Sequence, residues 1–225
     1  MQVEENPPQK IKAGLEEKLI RIYLARKKMR TYFLQGDPPP PMVCSITLCG
    51  IKHAGKSAVS RELARFTDLT AFDTDDALRL AFEQESGKSL TVREIYKLLG
   101  EEAFRQKEAA VIRELTQRHP LGIFALGGGA LSNPFFTAED RKKLGFICCL
   151  DVPDEVAYRR VAREGLPPFL QGEKDPFGAF CRMNDARREV FRREAHACIV
   201  PDVFERLASD VAQHVLEVYK EKFYE

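Results

Sequence analysis

From Met42 onward, short apolar runs alternate with longer stretches of helical periodicity. Val43 to Cys49 is almost continuously apolar, the pattern of a central parallel strand buried on both faces. Lys56 to Phe66 follows as a helix, Leu69 to Phe72 as a short strand and Thr74 to Glu85 as a second helix. Thr91 to Leu99 and Glu101 to Arg118 read as two further helices, and Gly122 to Leu126 as a strand. Phe146 to Leu150 is the next strand, with a helix over Pro153 to Glu164 behind it. Phe180 to Ala195 is helical, Ala197 to Val200 extended, and Val203 to Phe223 a closing helix. Between them, Gly165 to Gly178 is dense in proline and glycine and reads as a loop. Such alternation predicts an α/β fold with a parallel sheet covered on both sides. No internal repeat is visible.

Residues 1–41 stand apart as a helical extension and proline-rich linker, leaving residues 42–225 for the α/β domain. Leu15, Leu19, Ile22, Tyr23, Met29 and Phe33 are spaced as on an amphipathic helix over Leu15 to Leu34. Gln35-Gly36-Asp37 and the prolines Pro38 to Pro41 then impose an extended connection. A helix of this kind packs on the body of the protein or on a second copy. The expected assembly is a monomer, or a weak homodimer through that helix. Glu16, Glu17 and the uneven apolar stripe argue against a membrane-surface role.

Composition narrows the function classes. A chain of 225 residues suits one sizeable α/β domain with a small appendage. Its 35 lysines and arginines against 34 acids give no overall field to attract nucleic acid or an acidic membrane. No segment resembles a signal peptide, and no apolar run approaches the roughly 20 residues that cross a bilayer. A soluble, cytoplasmic protein is expected. Of the six cysteines, Cys44, Cys49, Cys148, Cys149 and Cys198 lie in apolar runs that read as buried strands, with Cys181 the exception. Without a CxxC pair they read as small buried hydrophobes rather than as metal ligands or disulfides.

The most specific motif is Gly50-Ile51-Lys52-His53-Ala54-Gly55-Lys56-Ser57, which matches G-x-x-x-x-G-K-[ST] between a predicted strand and a predicted helix. Its glycines let the backbone curl so that successive N–H groups face phosphate oxygens, and the helix start adds its positive dipole end. Gly50, His53, Ala54, Gly55 and Ala58 belong to this cradle, His53 through its backbone N–H rather than its ring. Lys56 reaches the β- and γ-phosphates and Ser57 ligates magnesium, so ATP and Mg2+ are the expected cofactors.

Four more features fall at strand ends or on nearby helices: Asp73-Thr74-Asp75, Phe104-Arg105 with Glu108, Gly127-Gly128-Gly129, and Arg187 four residues before Phe191. Each also has an ordinary reading. Asp73 or Asp75 can cap the helix that follows. Arg105 can pair with Glu108 on a solvated face, and the glycines can form a plain turn. Arg187 belongs to a basic run with Arg188, Arg192 and Arg193. Ligands of open α/β sheets collect beyond the carboxyl ends of the strands, so the acidic pair and the glycines should share one crevice with the P-loop.

Taken in this order beside the P-loop, these residues resemble the shikimate kinase family, over about residues 43–220. The resemblance implies a P-loop three-layer sandwich with a central parallel sheet and a mobile lid at about 165–178, here with an extra N-terminal helix. It implies phosphorylation of the 3-hydroxyl of shikimate by ATP, a step toward aromatic amino acids. Asp73 would sit near magnesium, and Asp75 would bind the substrate hydroxyls and orient the attacking one as a catalytic residue beside Lys56. Arg105 and Arg187 would hold the carboxylate, with the N–H groups of Gly127, Gly128 and Gly129 lining the same pocket. Two departures stand out. The family's lid carries an arginine in an R-P-L segment, whereas this chain reads Leu166-Pro167-Pro168-Phe169-Leu170 and has no arginine from Glu164 to Cys181. The family's P-loop also has glycine where His53 stands. Arg160 and Arg163, three apart on the helix leading into the lid, are the nearest substitutes and are expected to share a face toward the nucleotide. The alternatives are a related P-loop kinase for another small hydroxy acid such as gluconate, or a nucleotide-binding protein that has lost turnover.

Overall fold

The structure is a computed structural model that describes residues 44–163, 165–166, 170–201 and 207–224. The elements run β1 (Ile46–Cys49), α1 (Lys56–Phe66), β2 (Ala71–Asp73), α2 (Thr74–Ser86), α3 (Val92–Arg118) and β3 (Ile123–Ala125), followed by a 3-10 turn over Ala130–Ser132. Then come α4 (Ala138–Lys142), β4 (Phe146–Leu150), α5 (Asp154–Arg163), α6 (Pro176–Glu194), β5 (Ala197–Ile199) and α7 (Ala208–Tyr224). All five strands are parallel, in the order β2-β3-β1-β4-β5, with helices flanking the sheet.

Register explains why motifs far apart in sequence meet. Asp73 at the end of β2 lies beside Ala125 of β3, and Ala125 lies beside Leu48 of β1. Gly50 and Gly127 each follow two residues beyond that common level. The P-loop, the acidic pair and the glycine triplet therefore leave the sheet side by side.

The core beneath them is apolar and closely filled. Ile46, Leu48, Phe124, Phe146 and Cys148 of the strands are all shut off from solvent, as are Leu63 of α1 and Val215 of α7. Tyr219 of α7 packs edge-on to Phe146 at 5.4 Å between ring centres, and its hydroxyl accepts the Cys44 N–H at 3.1 Å. A second apolar cluster, Leu78, Phe82, Ile95, Phe104 and Val111, joins α2 to α3. Helix α3 opens with a capping box between Thr91 and Glu94 and breaks at Gly100, whose φ of +75° is open to glycine. The break falls between the two helices expected there, and the chain beyond it carries Phe104, Arg105 and Glu108.

Several boundaries differ from expectation for local reasons. Helix α6 starts at Pro176 rather than Phe180, because Asp175 caps the Gly178 N–H at 2.9 Å and proline suits the first turn. The end of the expected lid segment is thus helical. The short helix α4 was absent from the expectation. Five residues are too few to show a period, and it is held instead by a Thr137–Asp140 capping box. The same Asp140 takes two 2.8 Å hydrogen bonds from Arg113, which hold its carboxyl well below the usual range. Cys198, expected to be buried, is exposed because β5 is the edge strand; Cys49, Cys148 and Cys149 are buried, and all six cysteines are free. The N-terminal helix, the linker, residues 164 and 167–169 of the lid region and the start of the closing helix at 203–206 lie outside the described residues. Among the described residues, no helix is long and apolar enough to cross a membrane.

Candidate active site

The loop after β1 owes its shape to three residues with positive φ. Gly50 (φ +143°) has no room for a side chain, since a β-carbon there would stand 2.6 Å from the Leu150 carbonyl oxygen. Gly55 (φ +94°) starts α1 with no side chain capping it, so the helix leaves its first N–H groups for an anion. His53 holds φ +62°, the only positive φ outside glycine among the described residues. Glycine takes that conformation at no steric cost, and any other residue is strained there. Arg160 of α5 donates to the His53 carbonyl at 2.7 Å and pins the bend.

Lys56 is almost fully buried, and its ammonium donates to the carbonyls of Gly50 (3.0 Å) and Ile51 (2.9 Å). Burial pushes its pKa down, and the negative charges of Asp75 and Asp73 work against that shift. The Ser57 hydroxyl donates to Asp73 Oδ2 at 2.5 Å, while Asp73 Oδ1 accepts the Asp75 N–H at 2.9 Å. Asp73 thus caps α2, as its ordinary reading had it, and also grips the P-loop serine. A hydroxyl and a carboxylate held in contact are hard oxygen donors of the type magnesium takes, and an ion that keeps most of its water needs no more protein ligands.

Asp75 opens onto the cleft with protein walls around it. Those walls raise its pKa to about 6, first by desolvation and then by the charge of Asp73, with Lys56 opposing. The glycine triplet runs closely past this carboxylate and on to Arg105. A β-carbon on Gly127 would stand 2.6 Å from Asp75 Oδ1, and one on Gly129 would stand 2.8 Å from Arg105 Nη1. The Gly127 N–H donates to Thr74 Oγ1 at 2.8 Å, fixing the triplet to the start of α2.

Two arginines close the far side. Arg105 donates to the nearly buried Glu108 at 3.0 Å, and Asn133 Nδ2 braces the pair through Glu108 (2.9 Å) and the Arg105 carbonyl (2.7 Å). Arg187 is half-buried and makes no hydrogen bond or ion pair with any described residue. Its pKa is pushed down by burial and then by the like charge of Arg105. The neighbouring Arg188 is used quite differently. It is buried against Asp151 (2.9 Å), Asp154 (2.6 Å) and the Val152 carbonyl (2.9 Å), which fastens α6 to the end of β4 and leaves Arg187 turned into the cleft.

One cleft of about 880 Å3 is lined by His53, Gly55, Lys56, Ser57, Ala58, Asp73, Asp75, Arg105, Gly127, Gly128, Gly129, Arg160 and Arg187. Gly50 and Ala54 shape the loop behind it. Arg163 is not among the lining residues and lies exposed at the end of α5. Three residues apart, the two are offset by about 60° around the helix and about 4.5 Å along it, and that offset carries Arg163 past the rim that Arg160 reaches. Lys52, Tyr96 and Met183 line the cleft although the sequence reading passed over them. Lys52 was in plain view as a variable position of the P-loop. Asn133 and Thr74 carried no signal beyond their closeness to the motifs.

A family model described as shikimate kinase matches residues 52–220. The chain belongs to the shikimate kinase family. The shikimate kinase of Symbiobacterium thermophilum is 34% identical over 183 residues, covering 79% of this chain and 97% of that protein. The shikimate kinase of Dechloromonas aromatica is 32% identical over 178 residues, covering 78% of this chain and 90% of that protein. Among solved structures, shikimate kinase from Acinetobacter baumannii in complex with shikimate superposes with a TM-score of 0.68 at 28% identity, covering 82% of this chain and 97% of the other. Membership in the shikimate kinase family makes this chain a phosphotransferase with an alcohol acceptor.

Proposed function

We propose that this chain transfers the γ-phosphoryl group of ATP to the 3-hydroxyl of shikimate. The observation that carries the reading is the convergence of Arg105 and Arg187 beside Asp75. Two guanidinium groups that raise each other's energy, one without a protein partner among the described residues, call for a ligand carboxylate. The carboxylate of Asp75, across the glycine triplet, suits a hydroxyl on the same small molecule. Shikimate carries both groups.

The residues divide the work of transfer. Lys56 faces the β- and γ-phosphates, with the loop N–H groups of Gly50 to Ser57 around them. Ser57 and Asp73 would hold Mg2+, which when bound neutralises charge on the phosphate oxygens. Arg105 and Arg187 fix the acceptor carboxylate, and Asp75 accepts the proton of the attacking hydroxyl as that oxygen bonds to phosphorus. Arg160 belongs to the nucleotide side through its hold on His53. Gly165 to Asp175 is the segment we assign as the lid. We take the protein to act in the cytoplasm, consistent with its six free cysteines. We further take it to act as a monomer or a weak dimer through the N-terminal helix.

Asp75 gives the reaction a pH dependence. A base whose pKa lies at about 6 is ionised at neutral pH, so kcat/KM for shikimate should fall about tenfold per unit below pH 6. Stability moves the other way. The stabilisation linked to this proton is complete below the ordinary value of 3.8 and is lost as pH rises through about 6. Asp75→Asn should therefore lose activity yet melt no lower than the parent at pH 7.5, measured by calorimetry. A lower melting temperature would place Asp75 among the structural carboxylates.

The reading itself is tested by ADP release from ATP and magnesium with no acceptor, with shikimate and with gluconate. Release that depends on shikimate is expected. Release that ignores shikimate and follows gluconate would move the assignment to a different hydroxy acid.

A further inference from the structure

The P-loop carries a second lysine to which none of the roles above falls. Resting on the kinase reading, we propose that Lys52 is a catalytic cation that meets the oxygens of the phosphoryl group in flight. It would do so from the loop rather than from the lid.

Four observations converge on it. Lys52 is exposed and lines the cleft with Lys56, Asp75 and the glycine triplet. Its backbone nitrogen is 3.4 Å from where a β-carbon on Gly128 would stand, and that same point is 3.7 Å from Arg187 Nη1. It therefore sits at the seam between the phosphate loop and the acceptor wall, where the phosphoryl group must cross. Asp75 and Arg187 line the same cleft from the acceptor side, so Lys52 shares one space with the groups that hold the acceptor. It also makes no hydrogen bond or ion pair with a described residue, so its ammonium is available.

The other cations of the cleft are committed elsewhere. Lys56 already has its place at the β- and γ-phosphates, Arg105 is tied to Glu108 and Arg160 to the His53 carbonyl. Arg187 faces the acceptor. Arg93 and Lys97 line the cleft from the first half of α3, on the other side of the Gly100 break from Arg105 and Glu108. From Glu164 to Cys181 the sole cation is Lys174, exposed just ahead of α6. The strained bend at His53, fixed by Arg160, follows directly after Lys52 and sets the direction in which the loop presents it.

The chemistry needs a charge at that seam. As the bond between the γ-phosphorus and its bridging oxygen breaks, ADP leaves and the acceptor oxygen bonds to phosphorus. The hydroxyl proton passes to Asp75. Negative charge spreads over the three equatorial oxygens of the group in transit, and a compact ammonium lowers the energy of that arrangement.

The experiment pairs Lys52→Met with Lys52→Arg. Single-turnover transfer from ATP to shikimate is measured beside calorimetric binding of ADP and of a non-hydrolysable ATP analogue. Lys52→Met is expected to slow transfer about 10- to 150-fold, the scale of one lost charged hydrogen bond. It should weaken the analogue while ADP affinity stays within about twofold, and Lys52→Arg should recover most of the rate. Transfer within about twofold of the parent, or equal weakening of ADP and the analogue, would overturn the proposal, the second result marking Lys52 as a shaper of the loop. Failure of the unsubstituted protein to use shikimate would instead overturn the kinase reading. The comparison of ADP with the analogue would still decide whether Lys52 meets the γ-phosphate.

Discussion

Lys56→Met is expected to lower kcat by about 10²- to 10³-fold, the cost of removing one strong electrostatic stabiliser from a phosphoryl-transfer site. The structure adds a second expectation that a plain motif match would not. The Lys56 ammonium is buried and its pKa is pushed down, so the folded protein holds this charge at a cost. Methionine fills a similar volume without the charge. The variant should therefore melt at or above the temperature of the parent while being nearly inactive, the trade expected when a site is strained for function. Two buried carbonyls, of Gly50 and Ile51, lose their donor in the variant, which offsets part of that gain. Calorimetry and steady-state kinetics on the same preparation check both halves. Activity near that of the parent would remove Lys56 from the phosphate site.

The second large effect concerns the acceptor clamp. Arg105→Ala and Arg187→Ala should each weaken shikimate binding by roughly 10- to 150-fold, since a hydrogen bond to a charged group contributes about 1.5–3 kcal/mol. ATP affinity should stay nearly unchanged. The two are not expected to behave alike in stability. Arg105 is paired with Glu108, which Asn133 also holds, so its loss leaves a nearly buried carboxylate short of a partner and should lower the melting temperature. Removing Arg187 deletes a half-buried charge for which desolvation and the like charge of Arg105 outweigh the attraction of Glu108. That variant should melt no lower than the parent. Normal shikimate binding by both variants, read by titration calorimetry, would show that the carboxylate is held elsewhere.

How much of this was legible in the sequence depended on whether a signal was periodic, positional or tertiary. Helix α1 and strand β4 run over the expected residues, Lys56 to Phe66 and Phe146 to Leu150, because one begins at a motif and the other is an unbroken apolar run. The break at Gly100 was visible too, as a glycine between two periodic stretches. Helix α4 was not, since it rests on a capping box and on Arg113, which is far away in sequence. The early start of α6 was hidden in the single cap of Asp175. Cys198 had the composition of a buried strand, but exposure is decided by strand order, which composition does not encode.

The site divides along the same line. The order of motifs placed Lys56, Ser57, Asp73, Asp75, Arg105, the glycine triplet and Arg187 in one crevice, because parallel register brings their strand ends to one level. Side-chain direction was beyond reach. Arg160 and Arg163 looked equivalent at helical spacing, yet only Arg160 meets the loop. Arg187 and Arg188 looked like one basic run, yet one is a structural tie and the other faces the cleft. Lys52 occupied a position that the motif leaves free, so only its place against Gly128 and in one cleft with Asp75 brought it into view.

Identifying the product decides whether this chain phosphorylates the 3-hydroxyl of shikimate. The protein is incubated with ATP, magnesium and shikimate, and phosphorus–proton correlated NMR locates the new phosphate ester. One ester per ADP released is expected, on the oxygen at carbon 3 of shikimate. An ester at another hydroxyl, or ADP accumulating with shikimate left unmodified, would contradict that assignment.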